Sequence, residues 1–250
     1  MNELILHADD YGRSVGHTDC IVDCFNRGWI SETSLMVNMP DMDRAVSIAR
    51  QKGFSHRVGL HLNLTGGVPL TEKIRICPCF CDADGCFNKV FHHRLKTRFF
   101  LSAREQAAVR EEIEAQLQKF SDYKGLMKKV DSHHHAHTDW AVYRILRALT
   151  GRYGITGMRL TATLHRVSLG QGVYKRWLNA DIRRRYACTD EFDSFCPSAL
   201  QAARAGRSVE VMVHPLYSES GEILDQSRRY LPLIERMVKF GLSARDWRKS

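Results

Sequence analysis

The 250-residue sequence has only six prolines and no apolar run long enough to cross a bilayer. In the opening stretch, MNELILHADDYGR, a histidine and an acidic pair arrive before a signal-peptide core or about 18 apolar residues could develop, so neither is expected. A cytoplasmic protein away from membranes is the expectation. No repeat, low-complexity tract or Pro/Gly-rich linker divides the chain, which argues for a single domain over 1–250. With 44% hydrophobic residues, a chain of this length buries a large core without staples.

The eight cysteines are therefore not expected to be a disulfide framework, since a chain without a leader would keep them reduced. The densest cluster, CPCFCDADGC, holds Cys77, Cys79, Cys81 and Cys86. Structural zinc sites space their cysteines as C-x₂₋₄-C pairs, whereas this run is C-x-C-x-C with Pro78 inside and Asp84-Gly85 behind it. It reads as a cysteine-rich surface turn. The net charge of +9 raises nucleic acid as a partner, but no helix-turn-helix, zinc-finger or RNP pattern accompanies it. The densest basic run, Arg183-Arg184-Arg185, falls in an expected helix and reads as a solvated face, so no nucleic-acid partner is expected.

What is present is alternation. ELILHA, TSLMVN, RVGLHLNL, KKVDSH, TGMRL and VEVMVH are short apolar runs, and amphipathic stretches such as VGHTDCIVDCFNRG, MDRAVSIARQKG and WAVYRILRALTGRYG lie between them. The last stretch, QSRRYLPLIERMVKFG, also reads as helix. Such alternation predicts an α/β fold with mainly parallel strands and crossover helices. Gly28, Gly53, Gly154 and Gly241 stand where helices would end. One interruption, residues 66–101, carries GGVPL, the cysteine turn and FHHRLKTRFF, and is expected to be an insertion or lid loop.

The residues at which the apolar runs stop are polar each time: Asp9-Asp10, Asn38, His61 and Asn63, Asp131 and His133, Arg159, and His214. Carboxyl ends of parallel strands gather at one face, so Asp9, Asp10, His61, His133, Arg159 and His214, from distant segments, could converge there. Singly each has an ordinary reading: a helix cap, a satisfied histidine, an ion pair. Jointly, two histidines and a carboxylate match the ligand set of a hydrolytic metal site with open positions. Adjacent Asp9 and Asp10 point to opposite sides of an extended strand, so one could bind a cation while the other meets a water if the backbone turns.

ADDYG at 8–12, TSLMVN at 33–38, GLHLN at 59–63, DSHHHAH at 131–137 and MVHP at 212–215 together resemble the YdjC-like carbohydrate deacetylases. The resemblance implies a distorted (β/α) barrel and a hydrolase that removes N-acetyl groups from amino sugars or oligosaccharides with one divalent metal ion. By it, Asp10, His61 and His133 would hold the metal, Asp9 would be the base and His214 the acid; the charge of Arg159 would keep Asp9 ionised. Asn38, Asn63 and His137 remain to bind substrate. A rival assignment pairs His133 with His137, four apart on a helical turn. The ligand set favours Zn²⁺ by softness, and the resemblance Mg²⁺. A metal-dependent phosphoesterase, a catalytically silent carbohydrate-binding protein, and the choice between monomer and homodimer stay open.

Overall fold

The computed structural model describes residues 4–164, 167–226 and 231–239. Strand and helix alternate from the start: β1 (Leu4–Tyr11), α1 (Val15–Asn26), β2 (Glu32–Leu35), α2 (Met42–Gln51) and β3 (Val58–Leu62). Three short helices follow, α3 (Glu72–Arg75), α4 (Val90–His93) and α5 (Leu95–Phe99), and then the long α6 (Ala103–Ser121). The second half comprises β4 (Lys129–Ser132), α7 (Trp140–Leu149), β5 (Gly157–Met158), α8 (Leu169–Arg185), β6 (Glu191–Ser194), α9 (Pro197–Arg204) and β7 (Val209–Val213). It ends in β8 (Pro215–Tyr217), β9 (Ile223–Asp225), β10 (Leu231–Pro232) and α10 (Leu233–Lys239).

Seven strands form one parallel sheet in the order β5-β4-β3-β2-β1-β7-β6. The sheet curls until residues at its two edges bond each other. Met158 N donates to Ala187 O at 3.1 Å, and Thr163 N donates to Phe192 O at 2.9 Å. The result is the expected distorted barrel, α/β and a single domain. Helix caps agree with the local sequence: Ser102 and Glu105 form a reciprocal capping box on α6. Gly28, Gly53 and Gly154 take left-handed φ values after helical segments, as expected. Gly241 lies outside the described residues.

Two parts of the chain differ from the sequence reading. After β7 the chain forms a small antiparallel sheet, β10-β9-β8, and the helix read from Gln226 onward begins only at Leu233. Pro232 has no N–H for a helix interior and sits on an edge strand instead. The 66–101 insertion is largely packed: Ile74, Phe80, Phe87 and Phe91 join the common apolar core. Its entry is pinned by buried Glu112 of α6, which accepts from Leu70 N and Thr71 N.

Unusually for a barrel, whose interior is ordinarily filled by branched apolar side chains, this one is filled by charge. Along β1, Leu6 and Ala8 join the apolar core, while His7 and Asp9 turn to the other face, as the period of two requires. There Arg159, fully buried, donates to both oxygens of Asp9 at 2.9 and 2.7 Å and to Glu210 at 2.6 Å, and lies 2.7 Å from Asp131. Its guanidinium also lies over the Phe192 ring. Lys129 bridges Glu32 and Glu210. Burial opposes every one of these charges, but Lys129 and Arg159 hold Glu210 down at about 2.

Arg159→Met should lower unfolding stability by about 3–5 kcal/mol, because it leaves three buried carboxylates short of a cation. Glu210 has its folded-state pKa near 2 against an ordinary 4.5, so its contribution is complete above pH 4.5 and lost as pH falls toward 2. The deficit of the variant, measured by urea denaturation, should therefore be largest near neutral pH and shrink in acid.

Candidate active site

All seven strands run the same way, so their carboxyl ends open on one mouth. At the end of β1 the register with β2 slips between Ala8 and Tyr11, and Asp10 adopts φ +72°. That left-handed turn, tolerable for Asp, lifts its carboxylate out of strand alternation toward the mouth while Asp9 stays in the interior. The adjacent acids are thus given different surroundings by one backbone irregularity. Among the described residues only His134 (φ 52°) and His135 (φ 57°) share this non-glycine conformation, and both lie in the histidine run. Strained backbone of this kind collects where function over-determines structure.

Asp10 Oδ2 accepts from Arg13 at 2.8 Å, whereas Oδ1 faces His61 Nε2 at 3.3 Å and His133 Nε2 at 3.9 Å. Asp10 Oδ1 and His61 Nε2 are buried and have no hydrogen-bond partner among the described residues. Two donors on a shared ion with metal–ligand distances near 2.1 Å stand roughly 3.0–3.4 Å apart. The first contact fits that spacing, and the second is slightly wide.

The far sides of both rings are tied down. His61 Nδ1 lies 2.8 Å from Asp131 Oδ1, and His133 Nδ1 lies 2.8 Å from Thr65 Oγ1. With Asp131 ionised, His61 carries its proton on Nδ1 when neutral and presents the lone pair of Nε2, the carboxylate–histidine pattern of metal ligands. Burial opposes a charge on His61, but Asp131 and Asp10 push it up to about 10. Burial pushes His133 down to about 3. Asp10 is held well below the carboxylate range, because His61 and His133 outweigh its burial. A proton on His61 thus supplies positive charge that a cation would supply instead.

His7, Asp9 and Asp131 also offer ligand atoms within 4.8 Å of one another. That space already has a cation, since Arg159 Nη2 lies 2.7 Å from both Asp9 Oδ1 and Asp131 Oδ2. The unpartnered Asp10 and His61 atoms are the better match for an added ion.

Asp9 is pulled below its ordinary pKa by Arg159 against the effect of burial, and its Oδ2 stands 3.7 Å from His214 Nε2. His214 is held at the end of β7 by its own N–H, which donates to buried Asp225. Asp9, Asp10, His133 and His214 line one cavity of about 440 Å³ together with Arg13, His92 and His134. A second chamber of about 660 Å³ adjoins it, sharing His92, His134, His135 and Met212.

His137 is not brought to this cavity. It is fully buried, and its nitrogens lie 2.6 Å from Ser132 Oγ and 3.1 Å from Arg159 O. The left-handed residues at 134 and 135 break the helical turn that would have set His137 beside His133. Asn63 Oδ1 accepts from Thr65 N and Gly66 N, and Asn63 Nδ2 donates to Asn38 Oδ1. Both asparagines thereby hold the turn that presents Thr65 to His133. Sequence reasoning missed His7, Asp131 and Glu210 as interior groups. Alternation could have found them, since His7 lies two before Asp9, and Glu210 four before His214.

Burial and acidic neighbours push the thiols of Cys79 and Cys81 up to about 12, so they are protonated in the metal-free chain. All eight cysteines are free.

Two outcomes follow. Loading with Zn²⁺ or Mg²⁺ should release a proton, and apparent affinity should fall about tenfold per unit as pH drops below 10, read by calorimetry in buffers of different ionisation enthalpy. His61→Ala should abolish that proton release and lower bound metal. Changing Cys77, Cys79, Cys81 and Cys86 to Ser should leave metal content unchanged by elemental analysis; loss of one tightly held zinc would reveal a structural site.

The family model for YdjC-like proteins matches residues 3–238. A carbohydrate deacetylase of Halalkalibacterium halodurans is 28% identical over 240 residues, 92% of this chain and 90% of that protein. One of Vibrio parahaemolyticus is 30% identical over 230 residues, covering 89% and 81%. A chitooligosaccharide deacetylase of Yersinia pestis is 29% identical over 218 residues, covering 86% and 81%. A crystal structure from Enterococcus faecalis V583, provisionally assigned to cellobiose-phosphate cleavage, superposes with a TM-score of 0.68 over 97% of this chain and 96% of that one. At 20% identity, this last likeness speaks for the fold alone. Among the described residues no helix is long and apolar enough to cross a membrane.

Proposed function

This chain belongs to the YdjC-like protein family, and from that premise we propose that it is a metal-dependent carbohydrate deacetylase, hydrolysing N-acetyl groups of amino sugars or oligosaccharides. The observation that carries the reading is the pair of buried, unpartnered atoms, Asp10 Oδ1 and His61 Nε2, at the mouth of the barrel beside the Asp9–Arg159 pair. Asp10, His61 and His133 are the residues that would hold the ion, Mg²⁺ or Zn²⁺. Such an ion supplies a lowered water pKa and polarisation of a carbonyl oxygen.

The rest of the work falls to side chains of the chain. Asp9 takes the proton of the attacking water, and Arg159 keeps its carboxylate ionised and aimed. His214 gives a proton to the leaving amine, standing close enough to Asp9 for the two groups to serve one reacting centre. Asn38, Asn63 and Thr65 orient His133, and His137 props the strand end that bears Arg159.

Asp9→Asn and His214→Ala should each lose about 10²–10⁴-fold in kcat on an N-acetylated amino sugar while retaining bound metal. Chelation should abolish acetate release, and metal should restore it. Turnover of phosphate esters but not of acetylated sugars would replace this reading with a phosphoesterase, and sugar binding without any turnover would replace it with a binding protein.

A further inference from the structure

The cavity contains one more oriented histidine. His92, from the FHHR stretch of the insertion, sits on α4 and lines both the 440 Å³ cavity and the adjoining 660 Å³ chamber. Its Nδ1 lies 2.8 Å from Asp139 Oδ2. Asp139 is buried at the start of α7, and its other oxygen accepts from Arg98 of α5. An ionised carboxylate only accepts, so the neutral ring carries its proton on Nδ1 and its lone pair on Nε2. Among the described residues none is hydrogen-bonded to His92 Nε2, and the ring stacks on His134 with centroids 6.3 Å apart.

The plainer reading is a latch that ties the insertion to the barrel. The Arg98–Asp139 contact already does that, and a latch has no use for an oriented acceptor at the seam between two cavities. Resting on the deacetylase reading, we infer that His92 is a specificity-determining residue. Its Nε2 accepts a hydrogen bond from a hydroxyl of the sugar whose acetyl group lies beside Asp9 and Asp10, and Asp139 positions the ring. A sugar hydroxyl supplies the donor that this lone pair needs, and a position without one leaves the acceptor unpaired at a cost.

The test compares kcat/KM on an N-acetylated amino sugar and its monodeoxy analogues for the wild type, His92→Ala, His92→Gln and Asp139→Asn, with metal content and melting temperature followed for each. The wild type should disfavour one analogue by about tenfold. His92→Ala should lose about that factor on the parent sugar, chiefly in KM, and no longer distinguish that analogue. His92→Gln, whose amide oxygen also accepts, should recover part of the discrimination, and it carries the test if the alanine variant does not fold. Asp139→Asn removes the charged acceptor that aims the ring, so it should lower discrimination in part, with no further effect when combined with His92→Ala. A wild type that turns over sugars while His92→Ala and His92→Gln keep its full discrimination, or lose activity equally on every analogue, overturns this inference alone. A wild type without deacetylation overturns the functional reading, and the inference with it.

Discussion

The buried contact between Arg159 and three carboxylates is the interaction on which the barrel and its mouth both depend. Asp9 comes from β1, Asp131 from β4 and Glu210 from β7, so one guanidinium ties the adjacent β1 and β7 to β4, which lies beyond β2 and β3 in the sheet. A planar cation with several fixed donors can satisfy that many acceptors at once, whereas a lysine cannot. Desolvating these charges costs much of what their attraction returns, so the network adds geometry more than net stability. What it yields is an Asp9 that is ionised, aimed and out of solvent.

Charge balance leaves the mouth able to take a further cation. Asp9, Asp10, Glu32, Asp131 and Glu210 face Arg13, Lys129 and Arg159, leaving two negative charges. His7 and His61 are both pushed up in pKa by this excess, in spite of burial. A divalent ion between Asp10 and His61 would meet the same need while displacing the His61 proton. Among the described residues the three left-handed non-glycine positions, Asp10, His134 and His135, all line this cavity.

Much of this was legible in the amino-acid sequence. Alternating apolar runs and helical periods carried the α/β reading, and polar residues at strand ends carried the candidate site, because a parallel sheet must bring those ends to one face. Asp9 and Asp10 could be read as a divided pair from adjacency alone. The short strands β8 to β10 were hidden because three-residue and two-residue strands leave no periodic signal, and the Pro232 break was overrun by the helical pattern behind it. His137 looked equivalent to its neighbours, since nothing local announces that two consecutive histidines take a left-handed turn.

By itself, then, the sequence determined the layer architecture, the polar mouth and the residue types able to bind metal and move protons. Only the tertiary structure decided which histidine faces Asp10, which is consumed by Ser132 and the Arg159 carbonyl, and that His92 of the insertion is turned toward the cavity by Asp139. The reason is physical: chain periodicity tells which side of an element a residue occupies, but the aim of an imidazole is set by the partner on its other nitrogen. Those partners lie 70 residues away for His61 and 47 for His92.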